Sequence, residues 1–260
     1  MKEKVIVSLA SYPPGMGVVV PTLRSLLNQS VMPDKIILNL TDPEYPDHKI
    51  PADLKKLADE NPILEIRFYP RNIRSYSKLV PALRTFPDAV IITVDDDVLY
   101  QRNMIKNLLR QHEKFPHAII GYRIKKIRFD KDWNLLPYNS WKRYMRLRYL
   151  TWGTRPRYSN FLTGTGGVLY PPHALHPDAM NETLFREMAP TADDVWFWAM
   201  AVRGGTKIKP VPFVNVRTKI LDKPQTLAAE NFETVDRNTA FVRAIIARYP
   251  EIMERIKNED

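Results

Sequence analysis

Apolar, β-branched runs alternate with helical segments through the first half of the chain, and this alternation constrains the fold more than any other feature. Four such runs predict strands, namely KVIVSLAS, DKIILNLT, ILEIRFY and AVIITV, and the segments VVVPTLRSLLNQS, ADLKKLADE and SKLVPAL between them predict helices. Strands that alternate with helices at this spacing are typical of parallel sheets covered on both faces. We therefore predict an α/β fold, a doubly wound and mostly parallel sheet flanked by helices.

The second half of the chain is less regular. HAIIGYRI and GTGGVLYPP predict further strands, TADDVWFWAMAVRGG and residues 238–248 predict helices, and KIKPVPFVNVRT is predicted to be extended. The residues after Pro250 are interpreted as a short basic tail. Because the sequence has no internal repeat, low-complexity segment or linker, we predict that residues 1–260 form a single domain.

Composition and charge limit the classes of protein that the chain can belong to. It has no cysteine, which excludes a disulfide framework and cysteine-based zinc sites. The apolar run before Pro13 is too short for a signal peptide, and no stretch approaches the roughly 20 apolar residues that span a bilayer. We therefore expect a cytoplasmic protein. The net charge of +10 predicts an anionic partner: a nucleotide, phospholipid head groups, an acidic glycan or nucleic acid.

Three adjacent aspartates, Asp95, Asp96 and Asp97, follow the fourth predicted strand directly. Ligands of open α/β sheets bind at the carboxyl ends of the strands. Carboxylates at such an edge suit Mg²⁺ or Mn²⁺, which share their coordination between a few protein oxygens and substrate phosphates. A helix N-cap would account for one aspartate but not for three. The triplet therefore indicates a metal or nucleotide site.

Three motifs follow one another within residues 85–215: IITVDDDVLYQRNMIKNLLRQHEKFPHAIIGYR, FLTGTGGVLYPP and TADDVWFWAMA. In this order they resemble the motifs of nucleotide-sugar glycosyltransferases with the GT-A fold, and in particular of the exostosin-like glycosyltransferases and their bacterial relatives. The resemblance implies a nucleotide-binding half over residues 1–122 and an acceptor-binding half over residues 123–260. It implies transfer of a hexosyl or N-acetylhexosaminyl group from a nucleotide-diphosphate sugar, with a UDP-sugar expected, to a glycan or lipid-linked acceptor, as in bacterial surface polysaccharide synthesis.

The resemblance also implies roles for individual carboxylates. Asp95 and Asp96 would bind ribose and uridine, and Asp97 would be the direct ligand of Mn²⁺ or Mg²⁺. No histidine follows His176, so the metal would be held by Asp97, diphosphate and water. Asp194 would be the catalytic carboxylate, a general base in an inverting enzyme. In a retaining enzyme, as the exostosin-like family implies, it would stabilise the oxocarbenium-like centre or orient the acceptor.

Two further segments contain candidates for contacts with the donor nucleotide. The turn after the first strand and the basic segment after the third strand supply Ser8, Ala10, Ser11, Tyr12, Asn72, Arg74 and Lys78. Tyr12 could stack on the base, and a basic side chain of the second segment could offset the charge of the leaving diphosphate. Each segment also has a simpler interpretation. The first could be only a Pro-Gly turn, and the second only a solvated basic loop.

The candidates on the acceptor side lie in the later motifs. They are Thr163 and Gly164 in a Gly-rich loop and Asp193 and Trp196 near the start of an apolar helix. Arg217 is, by position, a candidate catalytic cation that would face the phosphates. The resemblance places a sugar contact in the Gly-rich loop, although a tight turn explains the glycines equally well. Trp196 could form a sugar-stacking platform or pack in the core.

The segment 123–160 interleaves Lys and Arg with Trp and Tyr. Such a mixture suits single-stranded nucleic acid, anionic lipid head groups or an acidic acceptor. A nucleic-acid-binding protein would leave the aspartates unexplained, and a nucleotidyltransferase would need a basic Gly-rich loop where ASYPPGMG has no cation. We therefore expect this segment to contact the acceptor or the inner face of the membrane, and we expect no nucleic acid partner.

Overall fold

The structure, a computed structural model, describes residues 3–143, 154–212, 219–221 and 236–259. The strands are β1 (Val5–Ala10), β2 (Lys35–Thr41), β3 (Leu64–Tyr69), β4 (Val90–Thr93), β5 (Val98–Leu99), β6 (Ile119–Lys126), β7 (Lys142–Arg143), β8 (Asn160–Tyr170), β9 (Ile208–Pro210) and β10 (Lys219–Ile220). The α-helices are α1 (Met16–Leu27), α2 (Ala52–Glu60), α3 (Val80–Thr85), α4 (Met104–Lys114), α5 (Glu182–Met188), α6 (Asp193–Arg203), α7 (Arg237–Arg248) and α8 (Glu251–Lys257).

A single large sheet organises these elements. Its strand order is β3-β2-β1-β4-β8-β6-β7, with β9 beside β6. Strands β3, β2, β1 and β4 are parallel to one another, β9 is parallel to β6, and β8 runs antiparallel to both β4 and β6. The predicted mostly parallel, doubly wound α/β sheet is therefore confirmed. The predicted division into a nucleotide-binding and an acceptor-binding half stays a prediction.

The strand order reverses between β1 and β4. From β1 the chain moves outward through β2 to β3, and it then returns to place β4 on the other side of β1. A reversal of this kind opens a crevice at the carboxyl ends of the two strands, where open α/β sheets bind their ligands. Ser11 follows β1 at this edge and Asp95, Asp96 and Asp97 follow β4, so the topology brings the predicted segments together.

The two largest apolar clusters cover the faces of the sheet. One is formed with α1, α2 and α4, whose buried residues include Leu23, Leu54 and Leu108. The other is formed with α5 to α8 and contains Phe185 and the fully buried Trp196 and Trp198. Helices on both sides are the reason why the central strands are apolar on both faces. The rigid sheet thereby presents its carboxyl edge in one fixed geometry.

The end of the chain departs from the sequence prediction. Residues 251–257 form helix α8 instead of a basic tail, because Ile252 and Ile256 share one helical face and are buried against the second cluster. Beyond this helix the Glu259 carboxylate is buried and accepts hydrogen bonds from the Ser159 amide (3.2 Å) and from the Tyr158 amide. The last described residue therefore anchors the start of β8.

The Gly-rich motif is also placed differently from its interpretation as a loop. Gly164, Gly166 and Gly167 lie inside β8, and Gly166 and Gly167 have φ values of 96° and 100°. Such backbone angles are accessible to glycine and strained for other residues. The pairing of β6 with β8 shifts register between Gly121 and Arg123. The strand is therefore irregular where it passes the carboxyl end of β4.

Candidate active site

The first part of the site lies in the crevice between β1 and β4. The Ser11 hydroxyl donates to Asp96 Oδ2 (2.5 Å), and the Thr22 hydroxyl of α1 donates to the Asp96 carbonyl (2.8 Å). Gly15 packs against this pair so closely that a Cβ at its position would overlap the Asp96 carboxylate. Asp96 is therefore buried and held in place by the turn after β1.

The three adjacent aspartates have different surroundings. The Asp95 amide donates to the Tyr100 hydroxyl (2.8 Å), and Asp95 Oδ1 lies 3.4 Å from Lys78 Nζ. Asp97 is partly exposed, and its carbonyl accepts from the Leu221 amide (2.7 Å) beside the short ladder of β5 and β10. The repulsion expected of adjacent carboxylates is thus reduced at Asp95 by Lys78, while Asp96 has a different partner, Ser11.

The second part of the site comes from the start of α6 and the middle of β8. Lys78 Nζ lies 3.0 Å from Asp193 Oδ2, and the Gly164 amide donates to both oxygens of Asp194 (3.0 and 3.1 Å). A Cβ at Gly164 would lie 2.8 Å from Lys78 Nζ and 3.3 Å from Asp95 Oδ1. Carboxylates from the β4 loop and from α6 therefore meet at one point, around one ammonium group.

The electrostatics of this cluster set the protonation of Asp194. Burial raises the pKa of the Asp194 carboxyl to about 7, and repulsion from Asp193 adds to the rise. Lys78 and the Gly164 amide act in the opposite direction by stabilising the charged form. Burial alone would lower the pKa of Lys78, but attraction by Asp193, Asp95 and Asp194 raises it above its ordinary value. Asp194 can thus exchange a proton near neutral pH.

The residues present fit a metal ion only if the substrate helps to hold it. Within the described ranges, no three or more His, Cys, Asp or Glu side chains are grouped so that they could bind an ion. Asp95 lies beside Lys78, Asp96 is buried beside Ser11, and Asp97 is partly exposed. Mg²⁺ and Mn²⁺ bound through one carboxylate and substrate phosphates require no more than this.

The remaining predicted residues have varied environments. Ser8 is fully buried and accepts from the Asn39 amide group (3.0 Å), and Ala10 and Tyr12 are partly exposed at the end of β1. Asn72 Oδ1 accepts from the amide of Arg74 (2.8 Å), so these two residues form a local turn.

Among the residues predicted to contact the acceptor, Thr163 donates its hydroxyl to the Arg123 carbonyl (2.9 Å). Trp196 is fully buried and its Nε1 donates to the Ala179 carbonyl (3.2 Å), which favours the core-packing alternative over a sugar platform. Arg217 lies outside the described residues.

Sequence reasoning missed several residues that support the site. Thr22 and Gly15 contact Asp96, and Tyr100 contacts Asp95. No local sequence motif predicts these contacts. Thr22 is separated from Asp96 by 74 positions, so only the folded topology brings the two together. A glycine in a turn usually indicates a positive φ or a close approach of the backbone to another group. The glycine itself was the one sequence signal for the contact at Gly15.

The comparison with protein families agrees with this geometry. The model of the family described as "Glycosyltransferase like family 2" matches residues 5–244. The chain belongs to this family. A search of curated proteins finds no match. As a family 2-like glycosyltransferase, the protein is expected in general terms to use a nucleotide-sugar donor and an acceptor. Among the described residues of the glycosyltransferase, no helix has the length and apolar character needed to cross a bilayer.

Proposed function

We propose that the protein transfers a hexosyl or N-acetylhexosaminyl group from a UDP-sugar to a hydroxyl group of a glycan or lipid-linked acceptor. One observation carries this proposal. Carboxylates that are about 100 positions apart in the chain, Asp95 and the pair Asp193 and Asp194, meet around Lys78 at the carboxyl edge of the sheet. Under this proposal the crevice binds the donor on one side of the cluster and the acceptor on the other.

On the donor side, the proposal assigns nucleotide contacts to the loop after β1 and to the first aspartates of the motif. Ser11 and Asp96 form a fixed hydrogen-bonded pair there, and Tyr12 lies beside them, partly exposed. Asp97 would hold Mn²⁺ or Mg²⁺ together with the diphosphate. When bound, such an ion stabilises the negative charge that develops on the departing nucleoside diphosphate.

On the acceptor side, Asp194 is proposed to take the proton of the acceptor hydroxyl. The acceptor oxygen forms a bond to the anomeric carbon while the bond from that carbon to the phosphate oxygen breaks, and the nucleoside diphosphate carries away the bonding electrons. A carboxyl group with a pKa of about 7 suits a general base at neutral pH. A direct displacement inverts the anomeric centre, whereas the exostosin-like resemblance implies retention. The coupling constant of the product's anomeric proton distinguishes the two.

Calorimetric titration with UDP, with and without Mn²⁺, tests the proposed donor site. Binding should require Mn²⁺ and should be lost in Asp97→Ala. Asp88→Ala is the matched control, because Asp88 precedes β4 at the opposite end of the strand and its side chain is 85% exposed. Absence of UDP binding under every metal condition would contradict the proposal. It would favour the alternatives, a nucleotidyltransferase or a basic nucleic-acid-binding protein.

The acceptor and the cellular place form a finer part of the proposal. We infer a role in bacterial surface polysaccharide synthesis at the cytoplasmic side of the membrane, with the basic segment 123–160 facing the acceptor or anionic lipid. Its support is the net charge of +10 and the Lys, Arg, Trp and Tyr content of that segment. Co-sedimentation with vesicles that contain or lack anionic phospholipid measures the membrane contact directly.

A further inference from the structure

Lys78 is a buried cation whose surroundings differ from those of a nucleotide-contacting lysine. Its side chain is 13% exposed, and its ammonium lies 3.0 Å from Asp193 and 3.4 Å from Asp95. The space next to the ammonium is closed by Gly164, where a Cβ would lie 2.8 Å from Nζ and 3.4 Å from Asp194 Oδ1. One ammonium group therefore faces carboxylates from the β4 loop and from both positions at the start of α6.

We propose that Lys78 is a positioning residue that serves as the internal counter-ion of this cluster and keeps Asp194 ionised. The assignment rests on the proposed function for the use made of that ionised carboxylate. It differs from the diphosphate contact that the sequence suggested for Lys78. A positive charge fixed among the carboxylates makes the charged form of each less costly to bury.

The groups that face Asp194 explain why one ammonium has this effect. Lys78 comes from the turn before α3, Asp95 from the loop after β4, Asp193 from α6 itself, and the amide of Gly164 from β8. Three phenols also sense the charge of Asp194, and because burial raises the pKa of each of them they remain neutral: Tyr76, Tyr138 and Tyr170. Among these described groups, Lys78 therefore supplies the positive charge in a cluster of three carboxylates, Asp95, Asp193 and Asp194.

Lysine suits this position better than arginine. An ammonium is a compact point charge on a flexible stem, whereas a guanidinium is a wider planar group. The close approach of Gly164 leaves little room for the larger group. The backbone of β8 thus selects both the size and the position of the cation.

Titration of Asp194 by NMR tests the assignment without any need for catalysis. The carboxyl carbons of aspartate are labelled with ¹³C in the full chain, and the Asp194 signal is identified by its loss in Asp194→Asn. In Lys78→Met the titration midpoint of Asp194 should rise by about one pH unit or more, since an opposite charge at this distance shifts a carboxyl by roughly 1–3 units. Lys35→Met, which removes an ion pair with Glu65 on the protein surface, should leave the midpoint unchanged.

A stability measurement covers the case in which Lys78→Met folds poorly. Urea midpoints are compared for the wild type, Lys78→Met, Asp193→Asn and the double variant at pH 8 and pH 5. Lys78→Met should lose stability at pH 8, and much of that loss should be recovered at pH 5 or in the double variant, because the surplus negative charge is then removed. An equal loss at both pH values without recovery in the double variant would overturn the proposal.

The outcome for Lys78 is separable from the outcome for the enzyme. A higher Asp194 midpoint in Lys78→Met supports the counter-ion role even if UDP does not bind to the wild type. An unchanged Asp194 midpoint, together with weaker UDP binding by Lys78→Met, would overturn it in favour of the diphosphate contact. If transfer activity is found, the acid limb of the pH profile of kcat/KM should move to higher pH in Lys78→Met.

Discussion

At the scale of single residues, the raised pKa of Asp194 has two effects: it suits the carboxylate to accept a proton, and it lowers the stability of the folded protein when the carboxylate is charged. Burial and the neighbouring Asp193 raise its pKa to about 7, which makes the charged form unfavourable in the folded protein. The same shift makes the group a proton acceptor at neutral pH. The site therefore retains a side chain that weakens the fold above neutral pH.

Asp194→Asn should stabilise the protein at pH 8 while abolishing transfer. An unfolded aspartate titrates near 3.9, so the folded wild type binds the additional proton between about pH 4 and pH 7 and becomes less stable as the pH rises through that range. Asparagine carries no charge. The gain in the free energy of unfolding should reach about 2–4 kcal/mol above pH 7, at about 1.4 kcal/mol per pKa unit, and should vanish near pH 4.

Urea denaturation at several pH values measures this gain. Asp59→Asn, which alters an exposed i,i+4 pair with Lys55, is the control and should change little at any pH. A stability difference between Asp194→Asn and the wild type that does not vary with pH would contradict the expected pKa.

Gly164→Ala should disrupt the centre of the cluster. The added methyl would lie 2.8 Å from Lys78 Nζ, with Asp95 and Asp194 close behind, so the ammonium must move away from its carboxylates. We expect a loss of at least about tenfold in transfer activity, since displacement of a catalytic group by about 1 Å can cost a hundredfold. Steady-state rates of transfer measure the effect.

Gly17→Ala is the matched control for this substitution. Gly17 lies in α1 with no neighbour within 4 Å of the position of a Cβ. Alanine should therefore stabilise the helix by roughly 0.5–1 kcal/mol and leave activity unchanged. Equal effects of the two substitutions would exclude a specific role for the space at Gly164.

At the scale of elements, the sequence predicts the helices and strands in which apolar residues recur with the period of the element. Strands β1 to β4 follow from β-branched runs. Helix α1 was predicted from VVVPTLRSLLNQS, but it begins earlier, at Met16, so that Pro21 lies inside it. Helix α8 was missed because it is only seven residues long and was interpreted as a tail, although its two glutamates balance Arg255 and Lys257. Only its packing against α6 and α7 makes Ile252 and Ile256 a buried face. The strand β8 was interpreted partly as a loop because its glycines carry no strand propensity.

Glu259→Ala should loosen the start of β8. The buried carboxylate accepts from the amides of Tyr158 and Ser159, which would be left without this partner in the variant. Unpaired buried amides cost about 1–3 kcal/mol, so we expect a loss of this order in the free energy of unfolding. Hydrogen exchange of the two amides should accelerate.

Glu254→Ala is the control for that experiment, because Glu254 is exposed on α8. Its removal should leave the exchange of Tyr158 and Ser159 unchanged. Protection of both amides in Glu259→Ala equal to that of the wild type would contradict the anchoring role.

At the scale of the whole molecule, the two halves of the chain share one sheet and its cores. Strand β4 of the first half pairs with β8 of the second, and the apolar cluster that contains Trp196 and Trp198 also includes Ile73, Tyr76 and Leu79. Of the candidate site, the sequence predicted the carboxylates but not how they combine. The contact of Lys78 with Asp193 joins residues more than 100 positions apart, and no local period encodes it.

Unfolding in urea should therefore be one cooperative transition. All five tryptophans follow residue 122, so their fluorescence reports only on the second half, while far-ultraviolet circular dichroism reports on both. The two signals should give the same midpoint because neither half can lose its strands without exposing the shared core. Separate midpoints would show that residues 1–122 and 123–260 unfold independently.

The two glycines that face the carboxylates, Gly15 and Gly164, have a consequence for the evolution of this protein. At both positions the smallest side chain would enter the volume of a polar group in the crevice. A substitution at either position therefore requires a polar side chain of the crevice to shift. A library of variants selected for altered donor or acceptor preference should acquire its substitutions around these two positions rather than at them, and new specificities would be reached through the surrounding loops.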